Sequence, residues 1–75
     1  MEIYRLSPIG EQLKHNTRIP NDPIKRVRWN VIYYISKRGQ VTSEQIINGV
    51  PGSTQYTLGY LRRRGIIIST EGVGV

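Results

Sequence analysis

The sequence predicts a small domain of the α+β class, mostly α-helical with a small β-hairpin at its end. Apolar side chains recur at three- and four-residue spacing, helix start and stop signals bracket these stretches, and an isoleucine run follows the last one. A chain of 75 residues has room for one core only. We therefore expect a three-helix core, preceded by an N-terminal arm.

The first 22 residues predict an arm with a short strand or extended segment followed by one short helix. Ser7 and Pro8 form a helix start, because serine caps a helix and proline suits its first position. This helix is expected over about residues 8–15. Proline and asparagine then predict a loop, which separates the arm (1–22) from the domain expected over residues 23–75.

The longest helix is predicted from Pro23 to the residue before Gly39. Asp22 supplies the N-cap, Gly39 supplies the stop, and apolar residues recur on one face between them. Trp29 and Tyr33 broaden this apolar stripe. Either the helix is central to the core or its second apolar flank meets another subunit.

Two shorter helices and a hairpin complete the predicted domain. Thr42 and Gln45 have capping-box spacing at the start of a helix that Gly49 ends. Pro51 and Gly52 predict a tight turn, because proline disfavours helix before it and glycine permits positive φ. The remaining elements are a helix over 53–64, beginning at Ser53 or Thr54, a strand at 66–68, a turn at Glu71-Gly72 and a return strand at 73–75.

The charge of the chain indicates a polyanionic partner. Lys and Arg number 11 against five Asp and Glu, which gives a formal charge of +6 and a pI near 10.2. Residues 1–22 are neutral, whereas residues 23–40 hold five cations and residues 53–65 hold three, with no acid in either segment. Nucleic acid is the partner that this pattern favours.

Several classes of protein are not expected. Without cysteine, and with the single histidine His15, the chain has neither the thiols nor the histidine pairs of metal and catalytic sites. It lacks phosphate-loop motifs, spaced catalytic carboxylates and an apolar run of roughly 18 residues. We expect a non-enzymatic, soluble, cytoplasmic protein associated with the nucleoid, with no cofactor, metal, membrane contact or small-molecule ligand.

The order of long helix, capped short helix, tight turn, third helix and hairpin resembles the winged helix-turn-helix family. Residues 41–47 and 58–67 carry the resemblance, which covers residues 23–75 and is strongest to MarR-like and ArsR-like regulators of bacteria, archaea and their viruses. Residues 4–10 look like the strand and helix start that usually follow the wing, although here they lie at the N-terminus. The wing itself is very short and carries Glu71 where family wings often carry basic residues.

The resemblance implies a transcription regulator that binds double-stranded DNA, with residues 53–64 as the recognition helix in the major groove. Because one such helix reaches only a few base pairs, we expect a homodimer. The apolar residues of the arm either form the dimer contact or cover the chain's own core. These residues are Ile3, Tyr4, Leu6, Ile9 and Leu13.

Helical geometry selects the candidate DNA contacts. At about 100° per residue, Tyr56, Gly59, Tyr60 and Arg63 lie opposite the side that carries Leu58, Leu61 and Thr54. Arg63 suits guanine and Gln55 suits adenine, while the tyrosines suit thymine methyl groups or phosphates. The full set is Ser53, Thr54, Gln55, Tyr56, Gly59, Tyr60, Arg62, Arg63 and Arg64, with Thr42, Ser43, Lys25, Arg26 and Arg28 as further phosphate candidates.

Two other functions remain open at this point. A winged-helix domain can serve as a protein–protein interaction module in a transcription or replication complex. The tyrosines can also stack on RNA or single-stranded DNA. Three consecutive arginines beside two outward tyrosines favour duplex DNA over the interaction module, which has no need of them.

Overall fold

The computed structural model describes residues 2–15 and 19–71 of the chain. These residues form a small α+β domain with four helices and a three-stranded antiparallel sheet. No helix in these two ranges is long and apolar enough to cross a membrane. In chain order the elements are β1 (Glu2–Leu6), α1 (Pro8–Leu13), α2 (Pro23–Arg38), β2 (Val41–Thr42), α3 (Ser43–Gly49), α4 (Gln55–Arg63) and β3 (Ile67–Glu71).

The N-terminal strand β1 is the central strand of the sheet, which has the order β2-β1-β3. It pairs with β3 over its full length, from Glu2 opposite Glu71 to Leu6 opposite Ile67. Tyr4 and Leu6 are buried in the core. The segment that the sequence sets apart as an arm therefore shares its sheet and its core with the rest of the chain.

The last strand differs from the predicted hairpin. β3 continues through Glu71, which the sequence prediction assigns to a turn, and its backbone pairs with β1. The physical reason is that β1 offers β3 five residues of antiparallel hydrogen bonding together with two buried side chains. Gly72 and the predicted return strand at 73–75 lie outside the described residues.

The predicted helix starts are confirmed. The Ser7 hydroxyl and the Asp22 carboxylate each accept a hydrogen bond from a backbone N–H in the first turn of α1 and α2. Thr42 and Gln45 form the reciprocal capping box of α3. Gly52 has a φ of 85° in the turn between α3 and α4. These signals act over a few residues, which is why the sequence alone reveals them; α1, however, ends at Leu13, earlier than expected.

The core is built from one face of the sheet and from α2, α3 and α4. Val31 and Ile35 of α2 are fully buried, so the central position of this helix is confirmed, whereas Ile24 at its start is 62% exposed. On α1, by contrast, Ile9 and Leu13 stay at the surface. The buried core residues are Tyr4, Leu6, Val31, Ile32, Ile35, Val41, Ile46, Val50, Leu58, Leu61 and Ile67.

The start of α1 is joined to the end of α4. The Ser7 backbone N–H donates to the Ile66 carbonyl oxygen, and the Ser7 hydroxyl contacts the carbonyl oxygens of Gly65 and Ile66. A Cβ at Gly10 would lie 2.3 Å from the Ile66 carbonyl oxygen, so only glycine allows this approach. The junction fixes the C-terminal end of α4 against the N-terminal segment.

Candidate nucleic-acid interface

Helix α4 has one buried side and one exposed side. Leu58 and Leu61 are each 1% exposed and anchor the helix in the core. On the other side Tyr56 is 87% exposed and the Arg63 side chain is also exposed. The predicted orientation of these four residues is confirmed. Thr54, which the sequence places on the buried side, is exposed.

The exposed side is open at its centre. A Cβ at Gly59 would meet only the Arg63 Nη1 atom, at 4.0 Å, so packing within the described parts of the chain does not require glycine there. Gln55, Tyr56, Gly59 and Arg63 together line a shallow hollow of about 200 Å³. The absence of a side chain at Gly59 exposes the helix backbone between three polar or aromatic side chains.

A larger groove runs between the first turns of α2 and the exposed side of α4. Its volume is about 450 Å³, and its walls include Ile24, Val27 and Arg28 from α2 with Tyr56 and Arg63 from α4. The sequence predicts that Ile24 and Val27 belong to the buried stripe, because both match its apolar spacing, whereas Ile24 is exposed and Val27 is partly exposed. The groove places Arg28 of α2 beside the exposed side of α4.

Tyr60 corrects one part of the sequence prediction. Its ring is only partly exposed and packs against the core, and the Arg28 guanidinium lies 3.6 Å from the ring centroid. Arg64 lies 5.1 Å from the same centroid. Both distances fit cation–π contacts, so Tyr60 serves as the ring that orients two arginines rather than as an open contact for a base.

The three consecutive arginines point to different surroundings. Arg62 lies toward β1, with its Nη1 atom 3.8 Å from Glu2 Oε1, and both side chains are about half exposed. Arg64 is held over Tyr60. Among the side chains that the structure describes, no carboxylate lies within ion-pair distance of Arg63 and no aromatic ring lies under its guanidinium. Of the three arginines, Arg63 alone makes neither kind of contact with these side chains.

Ser53 is a further correction. It is 6% exposed, and its hydroxyl contacts the carbonyl oxygens of Ile46 at 3.1 Å and Val50 at 2.6 Å. The N-cap of α4 is Thr54, whose backbone N–H donates to the Thr57 hydroxyl at 3.2 Å. Ser53 therefore stabilises the turn between α3 and α4 and is not at the surface to contact a phosphate.

The remaining phosphate candidates are spread over the surface. Thr42 and Ser43 are partly buried at the start of α3, and Thr42 is engaged in its capping box beside β1. Lys25 and Arg26 are exposed on α2. The Arg26 Nε–H donates to the Pro20 carbonyl oxygen at 3.2 Å, which ties the segment before α2 to that helix.

Burial raises the pKa of the Tyr4 hydroxyl to about 12, and the neighbouring Glu2 adds to the shift. No group of three His, Cys, Asp or Glu side chains with metal-binding geometry occurs in the part of the chain that the structure describes.

Comparison with known protein families, curated proteins and solved structures finds no match to this chain.

Proposed function

We propose that the protein binds double-stranded DNA sequence-specifically, with α4 in the major groove, and regulates transcription. The observation that carries this proposal is the exposed side of α4, which presents Gln55, Tyr56 and Arg63 around the open backbone at Gly59. The major groove is wide enough to admit one helix, and its base edges are read by side chains of these types.

The charge distribution supports a polyanion at this surface. Segments 23–43 and 45–70 contain no Asp or Glu, and together they supply every residue that lines the groove between α2 and α4. A duplex carries one negative charge per roughly 1.7 Å of its axis, so a groove rimmed by arginine and free of carboxylates is complementary to it.

We assign the side chains two roles in this proposal. Arg63 donates two hydrogen bonds to guanine, Gln55 pairs with adenine, and Tyr56 contacts a thymine methyl group. Basic side chains around this exposed side of α4 contact phosphates, and these contacts set the orientation of α4 on the duplex. The residues proposed for them are Lys25, Arg26, Arg28, Arg62 and Arg64.

We also propose that the fold is a winged helix in which β1 takes the place of the second wing strand. The sequence of α2, β2, α3 and α4 supports this assignment, as does the position of β1 between β2 and β3. The likeness of residues 4–10 to the segment that usually follows the wing agrees with it. In this arrangement β1 pairs with β3 as the second strand of a wing hairpin normally does.

Specificity would require two copies on a two-fold site, because one α4 face covers only a few base pairs. Of the arm residues considered for a dimer contact, Tyr4 and Leu6 are buried in their own core. Ile9 and Leu13 on α1 are 53% and 36% exposed. We propose α1 as the dimer contact on this ground.

A salt titration with random-sequence duplex tests DNA binding. If about five phosphates are neutralised, the logarithm of the affinity falls against the logarithm of the salt concentration with a slope of about −4.5. Fluorescence anisotropy of a labelled duplex gives this slope, and a single-stranded oligonucleotide of equal length is the matched control. A flat dependence, no binding at low salt, or tighter binding to the single strand would contradict the proposal.

A further inference from the structure

The outer side of α2 carries three side chains, one per turn, that contact each other. The rings of Trp29 and Tyr33 are stacked, with centroids 5.2 Å apart and planes 9° from parallel. The Lys37 Nζ atom lies 5.1 Å from the Tyr33 ring centroid. We call these three residues the aromatic ladder.

The aromatic ladder lies on the side of α2 opposite the buried Val31, and its Trp29 end borders α4 across a hollow. At about 100° per residue, Trp29 and Tyr33 are roughly 160° and 200° around α2 from the fully buried Val31. Tyr33 is 44% exposed. Arg28, which reaches Tyr60 of α4, lines the same hollow as Trp29. A partner on the ladder therefore borders Arg28 and Tyr60, but it leaves Tyr56, Gly59 and Arg63 uncovered.

Shallow hollows flank the ladder on both sides. One, of about 310 Å³, lies between Tyr33 and the turn after α3, at Val50 and Pro51. The other, of about 250 Å³, lies beside Trp29 and includes Ile32. A ridge of two aromatic rings between two largely apolar hollows has the shape and chemistry of a protein contact, since tryptophan and tyrosine are enriched at the centres of such contacts.

Cations surround the ladder. Lys25 lines the hollow beside Trp29, whereas Lys37 and Arg38 line the other, where the Arg38 guanidinium lies 4.7 Å from the Tyr34 ring centroid. No Asp or Glu occurs in α2. The complementary partner is therefore anionic around an apolar centre.

We propose that the aromatic ladder docks an acidic segment of a partner protein, in which Glu or Asp flanks leucine-like side chains. A second copy of the chain is disfavoured, because a two-fold contact would set Lys37 and its neighbours against the same cations. Nucleic acid is disfavoured as well: bases stack on open ring faces, and the Tyr33 ring is engaged by Trp29 one turn before and Lys37 one turn after. The proposal does not depend on DNA binding by α4.

The fluorescence of Trp29 provides the test, because the chain has one tryptophan. The probe is a synthetic amphipathic helical peptide with leucine on one side and glutamate on the other. We expect a saturable change in Trp29 emission. Tyr33→Ala and Lys37→Glu should each weaken peptide binding about tenfold. For Tyr33→Ala, binding is measured with a fluorescent label on the peptide. Tyr56→Ala, at the exposed tyrosine of α4, is the matched control and should bind as the parent does.

Four results would overturn the proposal. Equal binding of a peptide with every glutamate replaced by glutamine would remove the charge argument, and no response to the acidic peptide would remove the docking site. If oligothymidylate binds more tightly than the peptide, as measured by Trp29 emission, the ladder is a nucleic-acid site. Sedimentation that shows dimers of the parent but monomers of Tyr33→Ala would assign it to a second copy. Circular dichroism of both ladder variants confirms that they are folded.

Discussion

The two sides of α4 differ in nearly every physical property. One side places Leu58 and Leu61 in the core, where α4 packs against α2, α3 and β3, with almost no exposed surface. The other presents Tyr56, Arg63 and the bare backbone at Gly59 to solvent. A helix so divided holds the fold together with one side and leaves the other side available for a partner. Stability and binding should therefore respond to different substitutions.

The buried side gives the largest expected effect on stability. Leu58→Ala removes a side chain that is 99% buried and leaves a cavity, so we expect a loss of about 2–5 kcal/mol in the free energy of unfolding. Tyr56→Ala on the exposed side is the comparison and should change it by less than about 0.5 kcal/mol. Urea unfolding followed by circular dichroism measures both. A comparable loss in the two variants would contradict the division of α4.

Gly59 of α4 and Gly49 of α3 give a comparison with smaller expected effects. Gly59→Ala places a Cβ in open space, so we expect about 0.5–1 kcal/mol of added stability from helix propensity, together with weaker duplex binding as the methyl group obstructs backbone approach. In Gly49→Ala the Cβ would lie 2.8 Å from the Tyr34 ring.

Gly49→Ala should therefore lower the free energy of unfolding while leaving duplex affinity nearly unchanged. Thermal unfolding and duplex titration of the two variants, side by side, measure both properties. If Gly59→Ala binds duplex as tightly as the parent, the helix backbone does not approach the DNA.

The parts of the fold that the sequence predicts correctly depend on local signals. The caps at Ser7, Asp22 and Thr42 and the positive φ of Gly52 involve partners within three or four residues. The central place of β1 depends on Leu6 facing Ile67, a pairing across most of the chain that leaves no local pattern. With two residues, β2 is too short to show alternation.

The orientation of α4 follows from the sequence, whereas the surroundings of several candidate site residues do not. Helical periodicity separates Tyr56 and Arg63 from Leu58 without knowledge of the fold. Ser53 and Thr54 are both good caps, and only the turn geometry decides that Ser53 is buried. The stacking of Arg28 on Tyr60 joins two helices, and no spacing in the sequence reveals it.

A pair of charge reversals tests the central claim most directly, that the exposed side of α4 and not the overall positive charge binds duplex DNA. Arg63→Glu and Lys37→Glu change the net charge equally, but only Arg63 lies on that side of α4. We predict that duplex affinity falls about tenfold or more in Arg63→Glu and stays within about twofold of the parent in Lys37→Glu. Equal losses in the two variants would contradict the claim.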